Sequence, residues 1–173
     1  YLSLLRMETV WIALMEAQMR IVVMSDSHGN SRSVEELIAR EHHADGFVHL
    51  GDGARDWIYT VPGSGQFLIG VRGNGDFGVA LPLILTEDWE GKKFFCCHGH
   101  TFRVKMGLYE LQAAASQIHA DVILYGHTHI PDIERQGDRL LICPGSINAI
   151  TGRGSYAVVT VEKDKVDASI YLL

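Results

Sequence analysis

The feature that most narrows what this chain can fold into is a run of short apolar segments that each break off in polar, turn-forming residues. Ile21-Val22-Val23-Met24 leads directly into Ser25-Asp26-Ser27-His28-Gly29-Asn30. An apolar run without polar alternation predicts a strand buried on both faces. The residues after it predict a turn at the edge of a sheet. Alternate residues of an extended segment point the same way, so Asp26 and His28 are expected to converge on one point, and that pair suits a metal ion.

The pattern recurs. Gly46 to Leu50 reads as a second buried strand and ends in Gly51-Asp52-Gly53. Gln66 to Val71 ends in Arg72-Gly73-Asn74-Gly75-Asp76. Lys92 to Cys97 ends in His98-Gly99-His100, and Asp121 to Tyr125 ends in Gly126-His127-Thr128-His129. Open α/β sheets place their sites outside the carboxyl ends of strands, so these junctions point to a single shared site.

Between the junctions, Asn30 or Ser31 caps a helix through about His42, with Val34, Leu37 and Ile38 on its apolar face. Residues 54–60 predict a short helical turn and 62–65 a loop. Leu81 to Thr86 pairs with Lys92 to Cys97 around Glu90-Gly91, and Leu108 to His119 is a second helix. Four strands follow: Ile133–Arg135, Leu140–Cys143, Ser155–Glu162 and Val166–Leu172. The expectation is an α/β layer built by the first part of the chain and a second sheet closed by the tail.

The polar strand ends collect Asp26, His28, Asp52, Asn74, His98, His127 and His129. Taken singly, each is an ordinary turn or surface residue. Together they offer carboxylate, imidazole and amide donors without thiolate, more than one metal ion takes. Two ions sharing a carboxylate fit the count, and the donor types favour Mn, Fe, Zn, Co or Ni over Ca or Mg. Such a pair clamps a phosphate and activates water for in-line attack. His42, His43, His49 and His119 lack this context and read as structural or exposed. A serine hydrolase is excluded, because Ser25, Asp26 and His28 lie outside any Gly-x-Ser-x-Gly elbow.

Composition sets the remaining bounds. The chain has 173 residues, enough for one domain with a sizeable core. Its net charge is −6, without basic runs, so no nucleic-acid footprint is visible. An anionic small molecule then needs positive charge from bound cations. No apolar run is long enough to span a bilayer as a helix. Cys96, Cys97 and Cys143 make no disulfide framework, which suggests reduced thiols in a cytoplasmic protein, with Cys96 and Cys97 as core filler. Residues 1–18 read as an N-terminal extension, helical and non-catalytic or a leader ahead of a natural start at Met19. Its Leu5, Trp11, Ile12 and Met15 stripe makes a homodimer plausible. Residues 19–173 form the expected single domain.

Asp26-Ser27-His28, Gly51-Asp52, Gly73-Asn74, His98-Gly99-His100 and Gly126-His127-Thr128-His129 resemble, in order, the motifs of the calcineurin-like metallophosphoesterase family. The resemblance covers residues 20 to about 155 and is greatest to its small single-domain, YfcE-type phosphodiesterases. It implies a four-layer αββα sandwich, two mixed β-sheets flanked by helices. It implies that Asp26, His28 and His129 bind a first metal, that Asp52 bridges, and that Asn74, His98 and His127 bind a second, Mn²⁺ being the foremost choice. A metal-bridging hydroxide would then attack a small-molecule phosphate ester, most simply a phosphodiester. Cys143-Pro144-Gly145-Ser146 is similar to an Asn-Pro-Gly-Ser turn of that branch, with Cys143 in place of Asn.

Gly75 stands where larger relatives carry a proton-donating His. General-acid help is worth about 10²–10⁴-fold, so its loss favours esters with good leaving groups. His100 is a substitute donor or a phosphate contact. Asp76 is expected to orient a ligand His. Arg72 and Arg153 are phosphate contacts or plain surface charges. Two alternatives remain: a phosphomonoesterase, and a non-enzymatic scaffold on the same fold, like the small subunit of the retromer complex.

Overall fold

A computed structural model describes residues 18–148 and 152–173. The 1–18 extension lies outside the described residues but for Gln18, so the helix and dimer expectations attached to it are not addressed.

The apolar runs become the middle of two sheets. The first has the order β10-β9-β1-β2-β3 and the second β4-β5-β6-β8-β7. Their ranges are β1 Met19–Met24, β2 Gly46–His49, β3 Phe67–Gly70, β4 Ile84–Trp89, β5 Lys92–Cys97, β6 Val122–Tyr125, β7 Pro131–Gln136, β8 Arg139–Pro144, β9 Ser155–Glu162 and β10 Lys165–Leu172. Helix α1 spans Ser31–Arg40 and α2 spans Tyr109–Gln117. In the first sheet β1, β2 and β3 run parallel while β9 and β10 are antiparallel additions. In the second, β5, β6 and β8 are parallel and β4 and β7 flank them antiparallel. Both sheets are mixed, as expected.

Strand alternation sorts the apolar side chains into layers. Ile21 and Val23 point between the sheets with Val48, Phe94, Cys96, Val122, Leu124 and Val159. Val22 and Met24 face the other way, against Val34 and Leu37 of α1. On the far side, Cys97, Ile123 and Leu141 pack on Leu111 and Ala115 of α2. The order is therefore helix, sheet, sheet, helix. Burial on both faces is why β1 lacks polar alternation. Cys96 and Cys97 are buried on opposite faces, free thiols in the core.

Three expectations need correction. The tail does not close the second sheet alone: β7 and β8 join β4–β6, but β9 returns to pair with β1, and β10 pairs with β9. Hydrophobic pattern specifies a buried strand such as β9, not its neighbour. The first hairpin strand begins at Ile84 and not Leu81. Its turn is where expected, with positive φ at Glu90 and Gly91 (49° and 75°), which suits a tight two-residue hairpin. Finally, α1 stops at Arg40 and not His42, with Asn30 as its cap, accepting from the Ser33 N–H at 3.2 Å.

Candidate metal centre

The parallel strands β1, β2, β3, β5 and β6 end on one side of the sandwich, and their following turns are laced together by backbone hydrogen bonds. The Asp26 N–H donates to Gly51 O at 2.9 Å and the His28 N–H to Asp52 O at 3.0 Å. The Gly126 N–H donates to His98 O at 3.0 Å. A Cβ on Gly126 would lie 2.1 Å from Ser25 Oγ, so only glycine lets this loop approach the Asp26 turn.

Asp26 and His28 do converge, but not as residues of an extended segment. The strand ends at Met24, and Asp26 and His28 have φ of 57° and 47°. Asp52, His127 and His129 are also left-handed, at 55°, 69° and 62°. Non-glycine residues rarely adopt this region, and it persists where surrounding contacts over-determine it. The turn thus aims each side chain in place of strand alternation.

Six of the seven predicted donors fall into two groups of three. Asp26, His28 and His129 form one, and Asp52, His98 and His127 the other, with ligand atoms in each group within 4.8 Å of one another. Asp26 Oδ1 lies 3.0 Å from His129 Nε2 and 3.6 Å from His28 Nε2. It is also 4.0 Å from His98 Nε2, so the groups adjoin. In the second group His98 Nε2 is 3.4 Å from Asp52 Oδ2 and 3.1 Å from His127 Nδ1. Asn74, the seventh predicted donor, is exposed on the turn after β3, two residues before Asp76. The adjacent Gly75 N–H donates to Asp52 Oδ1 at 2.6 Å.

The electrostatics call for positive charge. Asp26 is fully buried and Asp52 nearly so, and among the described residues their ion pairs are with histidines only. Buried carboxylates are costly unless paired or bound to a metal. Burial opposes charge on Asp52, but hydrogen bonds from His98 and the Gly75 N–H outweigh it and hold its carboxyl well below the usual range. Burial likewise opposes charge on His98, yet Asp52 and Asp26 raise its pKa. Burial and the neighbouring His98 push His127 down to about 4, so it is a neutral nitrogen donor. The His98 Nδ1–H donates to Leu50 O at 2.7 Å, which fixes the ring and directs Nε2 into the cluster. Two pairs of imidazole nitrogens face each other, His28 with His129 at 3.2 Å and His98 with His127 at 3.1 Å. Facing nitrogens beside buried carboxylates, with no thiolate, fit two divalent transition-metal ions.

Asp76 does not orient a histidine. Its carboxylate accepts the N–H groups of Asp52, Gly53, Ala54 and Gly73 at 2.8–2.9 Å. Burial opposes its charge, and these four donors overcome that and lower its pKa. His100 sits on the turn after β5 with its ring centroid 5.3 Å from that of His98. Burial and the His98 charge lower its pKa, and its buried Nδ1 lacks a partner among the described residues. Arg72 is half-buried, and its charge contributes to the His100 shift. Arg153 is exposed, just past the undescribed residues 149–151.

His49, read from sequence as structural or exposed, is fully buried beneath the cluster. Its Nδ1 accepts the Gly51 N–H at 3.1 Å, so Nε2 carries the hydrogen and donates to Ser27 Oγ at 3.1 Å. Ser27 Oγ donates to Asp56 Oδ2 at 2.5 Å, which also accepts the Gly29 N–H at 2.9 Å. The chain of bonds ties the Asp26–His28 turn to the Asp52 turn. The available signal was a polar residue in the apolar run Gly46-Phe47-Val48-His49-Leu50. Ser25, Asp56 and Ser146 gave no such signal. Ser25 Oγ donates to Asp26 Oδ2 at 2.5 Å, and Ser146 Oγ to Asp26 O at 2.8 Å. The Cys143 turn therefore keeps its tie to Asp26, while Cys143 itself is buried 3.3 Å from Thr128 Oγ1.

A two-sheet sandwich with paired carboxylate–imidazole groups at the strand ends defines a metallophosphoesterase architecture. The model of the calcineurin-like phosphoesterase superfamily domain matches residues 19–164, and the chain belongs to that family. It is 33% identical over 159 residues to the probable metallophosphoesterase YsnB of Bacillus subtilis, covering 88% of this chain and 90% of that protein. It is 30% identical over 158 residues to the phosphodiesterase YfcE of Escherichia coli K12, covering 78% and 82% respectively. A solved structure of an uncharacterized Streptococcus pneumoniae protein, described as a predicted phosphoesterase, aligns with a TM-score of 0.71 at 30% identity, over 91% of this chain and 99% of that one. Zinc-bound Vps29 of Entamoeba histolytica also aligns, with a TM-score of 0.71 at 17% identity over 90% of this chain and 93% of that one, a likeness of fold alone. Among the described residues no helix is long and apolar enough to cross a membrane.

Proposed function

We propose that this protein is a phosphodiesterase that uses two divalent ions, with Mn²⁺ foremost, to hydrolyse small-molecule phosphate esters. The observation that carries the reading is the pair of adjoining oxygen–nitrogen–nitrogen groups built on two buried carboxylates. Asp26, His28 and His129 would hold one ion, and Asp52, His98 and His127 the other. Asp52 would be shared between the two, and Asn74 would complete the second set from its turn. Two such ions supply Lewis acidity and a water activated for in-line attack on phosphorus.

The chain's own residues then position and protonate. The His98 Nδ1–H, held by Leu50 O, keeps Nε2 aimed at the reacting face. Gly75 keeps Asp52 oriented through its N–H and leaves the leaving-group side without an imidazole. His100, its pKa lowered by burial and by the His98 charge, lies beside His98 as a candidate phosphate contact, with Arg72 adding positive charge nearby. Esters with acidic leaving groups should therefore react best. Buried free thiols accord with a reducing, cytoplasmic setting.

The test is turnover of bis(4-nitrophenyl) phosphate and 4-nitrophenyl phosphate with added Mn²⁺, Fe²⁺, Co²⁺, Ni²⁺ or Zn²⁺. Diester turnover exceeding monoester turnover is expected. Faster monoester turnover would make it a phosphomonoesterase, and silence on both with every metal would end the enzyme reading. A scaffold reading draws on the exposed side chains of Met106, Tyr109 and Ile130. It requires weak metal binding and no turnover.

A further inference from the structure

A cavity of about 410 Å³ opens beside the ligand groups, lined by His28 and Asp52 on one side and by Arg55, Asp56, Asp76 and Phe77 on the other. That volume lies in the range of small-ligand sites and can take one nucleoside-sized group. Its two outer carboxylates are already engaged. Asp76 accepts four backbone N–H groups, and Asp56 accepts from Ser27 and Gly29. What remains to meet a ligand there is the exposed Arg55 side chain and the ring of Phe77.

Phe77 is unusual in this chain. It is 80% exposed, whereas Phe47, Phe94 and Phe95 are buried in the core. Its turn is nevertheless held firmly. Asp76 is pinned from four sides, the Phe77 N–H donates to Gly75 O at 3.1 Å, and the Phe77 carbonyl accepts from the Arg55 guanidinium at 3.4 Å. A fixed backbone presenting a bare aromatic face beside a phosphate-handling centre is a stacking platform. The other cavity walls are the His28 ring, engaged carboxylates and glycine backbone, and the exposed Phe77 ring face matches a flat, polar partner.

We propose that Phe77 and Arg55 form the subsite for one ester arm of the substrate, and that this arm is a nucleoside. Its base stacks on the Phe77 ring, and Arg55 donates to acceptors of the base or sugar. The substrate class is then a small nucleotide phosphodiester. Long nucleic acids are disfavoured by the −6 net charge. The inference rests on the phosphodiesterase reading for its reaction, but the stacking subsite is tested without it.

Protein loaded with Mn²⁺ is titrated with thymidine 5′-monophosphate and with 2-deoxyribose 5-phosphate by calorimetry. The nucleotide should bind about tenfold more tightly, within the range of base–aromatic stacking. Phe77→Ala should erase that difference and Phe77→Trp should keep it. With Mn²⁺, kcat/KM for thymidine 5′-(4-nitrophenyl phosphate) should exceed that for methyl 4-nitrophenyl phosphate, mostly through KM. The two share a leaving group, and the ratio should fall about tenfold in Phe77→Ala and several-fold in Arg55→Ala. No turnover of either ester by wild type sinks the phosphodiesterase reading and leaves the titration to decide the subsite. Equal binding of the two titrants, or a preference that survives Phe77→Ala, overturns the subsite. So does a concentration-dependent dimer that weakens in Phe77→Ala while the ligand preference stays.

Discussion

The two ligand groups use the same donors, one carboxylate and two imidazoles, in different surroundings. His28 and His129 of the first keep 40% and 46% of their side-chain surface exposed, whereas His98 of the second has none. The outer rings stand in water, where charge is screened and side chains are less confined. In the inner group His98 is aimed by Leu50 O and Asp52 is held by the Gly75 N–H. Equal chemistry in unequal burial should give an inner group that is pre-arranged and tightly held, and an outer group that exchanges and tolerates change. The outer group is nonetheless built on Asp26, the more buried carboxylate, so only its imidazoles are free to yield.

The largest expected effect comes from removing inner ligands. Asp52→Ala or His98→Ala should lower kcat/KM on an aryl phosphodiester by at least about 10³-fold, since metal-assisted charge stabilisation is worth several kcal/mol. His129→Ala should lose about 10–100-fold and recover partly with excess metal. Equal losses in steady-state assays would break the distinction.

The inner group also depends on Asp76, which fixes the backbone of the Asp52 turn. Asp76→Asn should cost about 2–4 kcal/mol, because several charge-assisted hydrogen bonds weaken together. That corresponds to a fall of about 10 °C in Tm by calorimetry. A loss no larger than that of a surface substitution would show that the turn holds itself.

Metal loading gives a further comparison. At about 100-fold excess over Kd, binding adds about 2.7 kcal/mol and raises Tm by about 5–10 °C. Titration with a chelator should remove metal in two phases, the outer site first, as followed by metal analysis against Tm. A single phase would make the two groups one site.

The smallest of these effects is a pH dependence from His49, whose bonds join the two turns. Burial pushes its pKa down to about 3, against 6.5 when unfolded. A depressed histidine contributes stability that is fully present above pH 6.5 and is lost as pH falls toward 3, because the unfolded chain takes the proton first. At pH 5 the loss is about 2 kcal/mol. His49→Gln should lower Tm at pH 7.5 and flatten the slope between pH 7 and 5. An unchanged slope would place the acid sensitivity elsewhere.

Much of this was legible because burial leaves a one-dimensional trace. The strands at Ile21, Gly46, Lys92 and Val122 are apolar on both faces and stop where the chain meets water, so their ends and six of the gathered donors were readable in order. The role of Asp76 was misread, and that of His49 was left as structural or exposed, for a common reason. Their partners are backbone N–H groups and a hydroxyl brought close by folding, and such partners carry no residue code. Phe77 carries no signal in the sequence, and only its exposure on a pinned turn marks it out.

The order of elements and the identity of the donors follow from the sequence alone, since periodicity reports burial and donor type reports chemistry. Which sheet takes the last hairpin, which turn residues go left-handed, and how the donors divide into a buried and an exposed group were decided by tertiary structure. Those features arise from contacts between segments far apart in the chain, such as Asp26 with His129 and Asp52 with Asp76. Each contact stabilises a backbone conformation that neither segment would adopt by itself.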